Sequence, residues 1–558
     1  VPTETRALGF NPVDVRHEAM RQTSYGGWAS SMMPQAEGTK ALLPVTNEPG
    51  MTDLVIKVNG VRIAARGGNW GMDDSRKRVT RAKLEPYFRL EHDANLNIIR
   101  NWQGQNTEEV FYELADEYGM MVWNDFFAVT QDSNAEPGDP QLFTDNARDV
   151  VRHYRNHPSV AVWCARNEGV PSPVLNEQLI AMMRKEDGTR FYSPSSNQVN
   201  LRPSGPYMWQ QPELYFTKLD KGFAVELGIS SFPTLESFEA AIAPQDRWPL
   251  SDAWAYHDWH QDLNGNVHEL EAHMATQLGE SKSLPEFERR IQMFNYVDHQ
   301  AIYEGFYQHL WSPNSGRMIW MTHPSWPSTM WQMYSADYDT QASYYGVKKA
   351  NQPLHVQMDP SNYEVAAVNT TREAMRGVTV TARVYSAENK LLDTETSTQD
   401  LEADTMLPLM KLPMAKVYAA SPLVLVRLEM KDASGALLAD NFYWMAQKEE
   451  AFQGLNKLPA AQVSVHAVAD AAVQGAERVT RVALKNEGSG AAIELKLTML
   501  HADGSRVLPV YYGDNYVSLL PGEEREVVVR VPEGAAGEGA MHLAVRGYNL
   551  VQRDVAIR

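Results

Sequence analysis

The chain has a single cysteine, Cys164, among 558 residues. No internal disulfide is possible, and cysteine usage says nothing about the redox compartment. No apolar run approaches the ~20 residues that a membrane-spanning helix needs. Basic residues are outnumbered: 51 Lys and Arg face 70 Asp and Glu, a formal charge of −19. Nucleic acid and anionic membranes both demand a basic face, so neither is expected as a partner, whereas a neutral or cationic ligand is compatible. There is no phosphate-binding glycine loop, no zinc signature and no Gly-x-Ser-x-Gly elbow. No metal and no cofactor is therefore expected. The chain starts at Val1 and shows no signal peptide, which suggests processing or one piece of something larger. Its compartment stays open, with a periplasmic or secreted location preferred.

What is present divides by texture. The length calls for three or four domains. From residue 52 to 352, short apolar strands alternate with amphipathic helices. Strands are expected at Val61–Ala65, Leu96–Arg100, Met120–Asn124, Val160–Ala165, Arg190–Ser195, Tyr207–Gln210, Phe223–Leu227 and Met318–Met321. Thr107 is placed to cap one helix that Gly119 ends, and Asp145 to cap the next; further helices run 176–185 and 285–311. Eight such alternations over some 300 residues predict a (β/α)8 TIM barrel. After 352 the helical period gives way to β-branched, alternating runs. These predict two immunoglobulin-like β-sandwiches, 353–452 and 460–558, joined by a linker at 448–459. Residues 1–51 are too few for a domain. Leu8–Val15 reads as one strand and 24–50 as a long loop.

In such a barrel the chemistry comes from the C-terminal ends of the strands. Two glutamates stand out there. Glu168 follows the apolar run Val-Ala-Val-Trp-Cys-Ala, and Glu226 lies inside Phe-Ala-Val-Glu-Leu-Gly. A buried carboxylate is costly unless paired or hydrogen-bonded. Two at one barrel mouth suit glycoside hydrolysis, in which one holds a proton and the other is ionised. Either alone is more often a structural partner of an arginine such as Arg66 or Arg100; the pair brings the two readings level. Trp70, Trp102, Trp163, Trp209 and Trp320 form either a sugar-stacking wall or ordinary packing. His257 and His260 lack a third metal ligand and read as loop structure or a substrate rim. Asp73 and Asp74 bind sugar hydroxyls or cap a helix. Cys164 reads as inert packing.

Several long stretches, in order, resemble glycoside hydrolase family 2. They are VNGVRIAARGGNWGMDD (58–74), DANLNIIRNWQGQ (93–105), EYGMMVWNDFF (117–127), NHPSVAVWCARNEG (156–169), VELGISSFP (225–233) and YYGVKKANQPL (344–354), with GDNYVSLLPGE (513–523) similar to the last sandwich of the mannosidase and glucosaminidase branch. The resemblance implies retention through a glycosyl-enzyme intermediate, with Glu168 as acid/base and Glu226 as nucleophile. It further implies that Asn167 bonds the sugar 2-hydroxyl, that Arg66 and Arg100 help keep the nucleophile ionised, and that Trp320 floors the subsite. The substrate-binding set expected around the two glutamates is Asn167, Arg66, Asn69, Trp70, Asp73, Arg100, Trp102, Asn124, Trp209, His257 and Trp320.

Within that branch, exo-β-D-glucosaminidases commonly carry Ser-Asp where this chain has Asn167-Glu168. The resemblance therefore leans towards a β-mannosidic linkage, such as Manβ1-4GlcNAc of N-glycan cores, with an exo-β-D-glucosaminidase as the alternative. A non-catalytic carbohydrate-binding protein and an assembly subunit are the readings from other classes. Family members begin with two β-domains before the barrel. Residues 1–51 look like only the last strand of the second, so an N-terminal portion is expected to have been removed or to form a separate chain of the same precursor. An oligosaccharide or glycan is the expected ligand.

Overall fold

The computed structural model describes residues 53–74, 76–128, 136–260, 266–470, 476–537 and 539–558. The expected strand Leu8–Val15 and the loop 24–50 lie outside them. The chain divides into two compact units. One comprises residues up to Tyr207, Lys218–Ile229 and His309–Trp326; the other comprises Met208–Thr217, Ser230–Gln308 and Pro327–Arg558.

The first unit opens on an antiparallel pair, β1 (Ile56–Val58) and β2 (Val61–Ile63). Asn59 and Gly60 between them both have positive φ, the chemistry of a tight two-residue hairpin turn. That turn commits residues 61–63 to pairing with β1. The first barrel strand, expected at Val61–Ala65, is therefore β3 (Ala65–Trp70). β4 (Ile98–Asn101), β5 (Met121–Ala128), β6 (Val160–Arg166), β7 (Phe191–Ser193) and β8 (Gly316–Ile319) join it in one parallel sheet, ordered β7-β6-β5-β4-β3-β8. Ala224 bridges Arg317 in parallel beyond β8. Residues 202–206 then bond to 223–228: Arg202 N donates to Phe223 O, Gly205 N to Glu226 O, and Gly228 N to Pro206 O. These segments stand as irregular sixth and seventh staves. The sixth was expected at Tyr207–Gln210 but ends before Tyr207. Pro203 and Pro206 deny it the N–H donors of a regular ladder.

Four helices cover the sheet: α1 (Arg81–Asp93), α2 (Glu109–Tyr118), α3 (Pro140–Tyr154) and α4 (Pro173–Glu186). α2 ends at Gly119 in the left-handed conformation, as its sequence predicts, but Glu108 rather than Thr107 holds the cap position. α3 starts before Asp145. Asp139 caps it by accepting from Leu142 N, and Pro140 occupies the first turn. Inside the sheet, Ile98, Met121, Trp123, Val162, Cys164, Phe223 and Met318 pack into one buried cluster. Two-residue steps carry β4 from Ile98 to Arg100, and β5 from Met121 through Trp123 to Asp125. The inward row thus changes from apolar to charged as it nears the C-terminal ends.

The second unit contains the 25-residue helix α5 (Leu284–Gln308) and two sandwiches. The first sandwich sets a three-stranded sheet (Leu354–Met358, Glu364–Asn369, Thr405–Lys411) on a four-stranded one (Met375–Ser386, Leu391–Leu401, Leu423–Lys431, Leu437–Ala446). Alternate residues Val378, Val380, Ala382 and Val384 enter its core. The other pairs two four-stranded sheets built from Val463–Ala469 onward. The expected linker is instead a 3-10 stretch, Glu449–Lys457, anchored by the buried Leu455.

Candidate active site

Arg100 organises the mouth of the first unit. Its guanidinium is fully buried. Nε donates to both Asp125 oxygens at 3.0 and 3.1 Å, and Nη2 to Asp125 Oδ2 at 2.6 Å. Nη1 donates to Asn69 Oδ1 at 3.0 Å and to Glu226 Oε1, and Nη2 reaches Asn167 Oδ1 at 2.7 Å. Burial works against its charge, but Asp125 and Glu226 outweigh burial and hold its pKa above the usual range. Asn69 is itself pinned, donating to the carbonyls of Val225 and Ile319 at 2.9 Å each. It therefore aims the arginine.

Glu226 is 3% exposed. Burial pushes its carboxyl up, Arg100 opposes that, and the nearby Glu168 charge adds to the rise. The chain beside it must pass close to the eighth strand end: a Cβ on Gly228 would lie 2.0 Å from the Trp320 carbonyl oxygen. Glu168 takes a left-handed conformation, φ 43°, followed by Gly169 at φ 95°. Such backbone persists only where its surroundings hold it. Here Asn167 N donates to Ala128 O, Glu168 N to Ser196 Oγ at 2.9 Å, and Gly169 N to Asn197 Oδ1 at 3.0 Å.

Tyr207 joins the two carboxylates. Its hydroxyl lies 2.6 Å from Glu226 Oε2 and 3.0 Å from Glu168 Oε1. These oxygens can be no further apart than the two contacts laid end to end, about 5.6 Å. Burial, reinforced by both glutamate charges, lifts the phenol well beyond its ordinary range and keeps it a donor. At the half-buried rim Trp102 meets Trp320 edge-on, centroids 5.0 Å apart, and Trp102 Nε1 donates to Asn167 Oδ1 at 3.1 Å.

The structure thus brings together Glu168, Glu226, Asn167, Asn69, Arg100, Trp102 and Trp320. Other expected members fall elsewhere. Arg66 sits at the start of β3, not its end, and its side chain donates to Asn95 O. Trp70 faces the helices: it donates to Glu91, packs on Phe88 and stacks on His323 at 4.4 Å. Asp73 is buried between His323 (3.0 Å) and Lys83 (2.9 Å), a clamp rather than a sugar ligand. Asn124 points outward to Tyr112 and Asn101, because its inward neighbours along the strand are Trp123 and Asp125. Trp163 donates to Asp187 and stacks on Phe126. In the second unit, Trp209 is buried against His273 and Phe294, and His257 bonds the Pro327 carbonyl oxygen in a loop. Tyr207 and Asp125 were missed. Counting inward parity from Trp123 would have chosen Asp125; Tyr207 was hidden by the misplaced sixth strand. Cys164 is buried, its thiol pushed well up by burial, and stays an inert filler.

Three family models match in chain order: the family 2 glycosyl hydrolase TIM barrel domain over residues 50–203, the mannosidase Ig/CBM-like domain over 361–447, and the exo-β-D-glucosaminidase Ig-fold domain over 441–550. Among curated relatives, the mannosylglycoprotein endo-β-mannosidase of Lilium longiflorum is 25% identical across 90% of this chain and 64% of its own length. The exo-β-D-glucosaminidase of Streptomyces avermitilis is 26% identical across 89% of this chain and 60% of its own. The chain therefore spans less than two thirds of either. The crystal structure of the Amycolatopsis orientalis exo-chitosanase superposes with a TM-score of 0.82 at 23% identity, covering 90% of this chain and 65% of that one, and shows the same fold. With barrel and sandwiches each matched by its own model, the chain belongs to the glycoside hydrolase family 2 superfamily, in its exo-β-D-glucosaminidase and mannosidase-like branch.

Proposed function

We propose that this chain carries the catalytic site of a retaining β-glycosidase, with Glu226 as nucleophile, Glu168 as acid/base and a β-D-glucosaminyl unit as glycone. One observation carries the mechanism: the Tyr207 hydroxyl touches both carboxylates. One hydroxyl reaching an oxygen of each carboxylate favours the ~5–5.5 Å spacing of retaining enzymes over the ~6.5–9.5 Å that leaves room for water in inverting ones. Glu226, oriented by Arg100 and Tyr207, attacks the anomeric carbon. The bond to the leaving oxygen breaks as Glu168 gives that oxygen its proton. Glu168 then takes a proton from water, whose oxygen displaces Glu226 and restores the starting configuration. Trp102 and Trp320 supply the apolar rim for a sugar face.

Two features support a glucosaminide. The C-terminal sandwich matches the exo-β-D-glucosaminidase model, and the Streptomyces avermitilis relative carries that name. The mouth is also acidic: the one guanidinium of Arg100 serves both Asp125 and Glu226, with Glu168 beside them, which suits a sugar whose 2-ammonium is positive. The lean towards a β-mannoside becomes the second reading, and one detail favours it. Asn167 Oδ1 already accepts from Arg100 and Trp102, so this oxygen has little capacity left for a 2-ammonium.

Matched p-nitrophenyl β-D-glucosaminide and β-D-mannoside, assayed with this chain, decide the matter. Release from the glucosaminide at higher kcat/KM is the expected outcome. A preference for the mannoside would replace it with the second reading. Release from neither would leave a carbohydrate-binding protein.

A further inference from the structure

The second unit encloses a cavity of about 330 Å3, at the lower end of the range for small-molecule sites. Its walls come from α5, from the segment Met208–Thr217, and from the end of the strand Leu437–Ala446 with the 3-10 stretch after it. Trp209, Phe294 and Trp444 give it aromatic faces. Its charge is one-sided: Glu213, Asp298, Glu304 and Glu449 line it against Lys448.

Two of these carboxylates are already committed. Glu304 accepts from Gln300, His355, Asn441 and Tyr443, tying α5 to the first sandwich. Glu449 bonds His273 and Gln277. Asp298 is different. It is 1% exposed, and neither its Oδ2 nor the neighbouring Trp209 indole N–H makes a hydrogen bond of good geometry among the described residues. Burial pushes its carboxyl well above the ordinary range; the Trp209 indole opposes this and the Glu213 charge adds to it. Packing alone does not call for such a group, since a buried polar atom without a partner destabilises the fold that holds it.

The lining selects the ligand. Carboxylates turn away an anion, and a purely apolar guest leaves Asp298 unsatisfied. We infer that the cavity binds a small protonated amine, no larger than one aminohexose, with the ammonium between Asp298 and Glu213 and the rest of the molecule against the aromatic lining. A cation beside aromatic faces is favourable, and a charge-assisted bond to Asp298 is stronger than a neutral one. The ligand class follows from this lining whichever glycoside the barrel cleaves.

The test uses the full chain carrying Glu168→Gln and Glu226→Gln, which removes both barrel carboxylate charges while keeping their shapes. Calorimetric titration with glucosamine at pH 7 is expected to show one site. N-acetylglucosamine, a similar ring without the cation, is expected to bind roughly tenfold more weakly or worse. Adding Asp298→Asn, which copies the shape of the neutral acid and so preserves packing, is expected to weaken glucosamine by a similar factor. Titrations in two buffers of different ionisation heat are expected to show more proton release on binding before that substitution than after it, the amine's own proton uptake being common to both. Absence of glucosamine binding, or binding that Asp298→Asn leaves unchanged, overturns the inference.

Discussion

Each unit buries a cluster of charge, and the two are balanced in opposite ways. In the first, the single guanidinium of Arg100 serves Asp125 and Glu226, with Glu168 close by. In the second, the carboxylate of Asp440 lies among Arg427 at 3.1 Å, Lys349 at 3.4 Å and Arg525, with Glu523 and Asp514 at the edge of the cluster. Burial raises both acids. At Asp440 the three cations overwhelm burial and hold the pKa well below the ordinary range; at Glu226 one shared cation does not, and the pKa rises. A structural cluster is saturated with counter-charge. A reactive one keeps its carboxylates short of it, because a nucleophile fully satisfied in the resting state has little to gain by attacking.

The largest effect that tests this contrast is on turnover. Glu226→Ala is expected to lower kcat on the order of 10^4-fold or more, since no other group supplies the nucleophile. Azide is expected to restore release and to give the inverted glycosyl azide, read by NMR. Near-normal kcat would remove Glu226 from the mechanism. The matching change in the saturated cluster acts on stability instead. Asp440→Asn takes the most buried counter-charge from three cations and is expected to cost ~3 kcal/mol in urea unfolding. A loss under ~1 kcal/mol would mean that Arg427 and Arg525 find enough partners in Glu523 and Asp514.

Tyr207→Phe comes next. It removes the hydroxyl that donates to Glu226 and also contacts Glu168, and keeps the ring. An expected fall of about 10^2-fold in kcat/KM is the usual result of deleting one positioned donor. An unchanged rate would make the bridge a feature of the empty site with no part in the reaction.

The sequence made these two clusters unequally legible. Glu168 and Glu226 announce themselves as carboxylates at the edges of apolar runs, and the barrel follows from strands alternating with capped helices. Parity was harder. β5 is buried at every position but Phe127, so no polar face tells Asn124 from Asp125. Tyr207 follows a stave whose prolines erase the period that would locate it. Trp70 and Asp73 read as site residues because their partner His323 lies 250 positions from Asp73, beyond any local pattern. The Asp440 cluster has no motif: its members come from one helix and three strands and meet only on folding.

The smallest effect is the sharpest, because its sign reverses between the clusters. Glu226 has a folded pKa above its unfolded value of about 4.5. Its contribution to stability is therefore full below pH 4.5 and is lost as pH rises through the folded pKa. Glu226→Gln removes that burden and still offers Arg100 a carbonyl oxygen. The variant is expected to be more stable than the parent at pH 7, with the gap closing below pH 4.5. Asp440 has a folded pKa below its unfolded value of about 3.8. Its contribution is present above pH 3.8 and is lost as pH falls through the folded pKa, so the deficit of Asp440→Asn is expected at pH 7 and shrinks in acid. Urea midpoints for both variants and the parent between pH 3 and 8 give the two slopes directly. Opposite signs are the signature of one under-neutralised and one saturated cluster. A Glu226→Gln variant that loses stability as pH rises would show that Arg100 satisfies Glu226 as fully as the three cations satisfy Asp440, and the distinction between reactive and structural charge would fail in this chain.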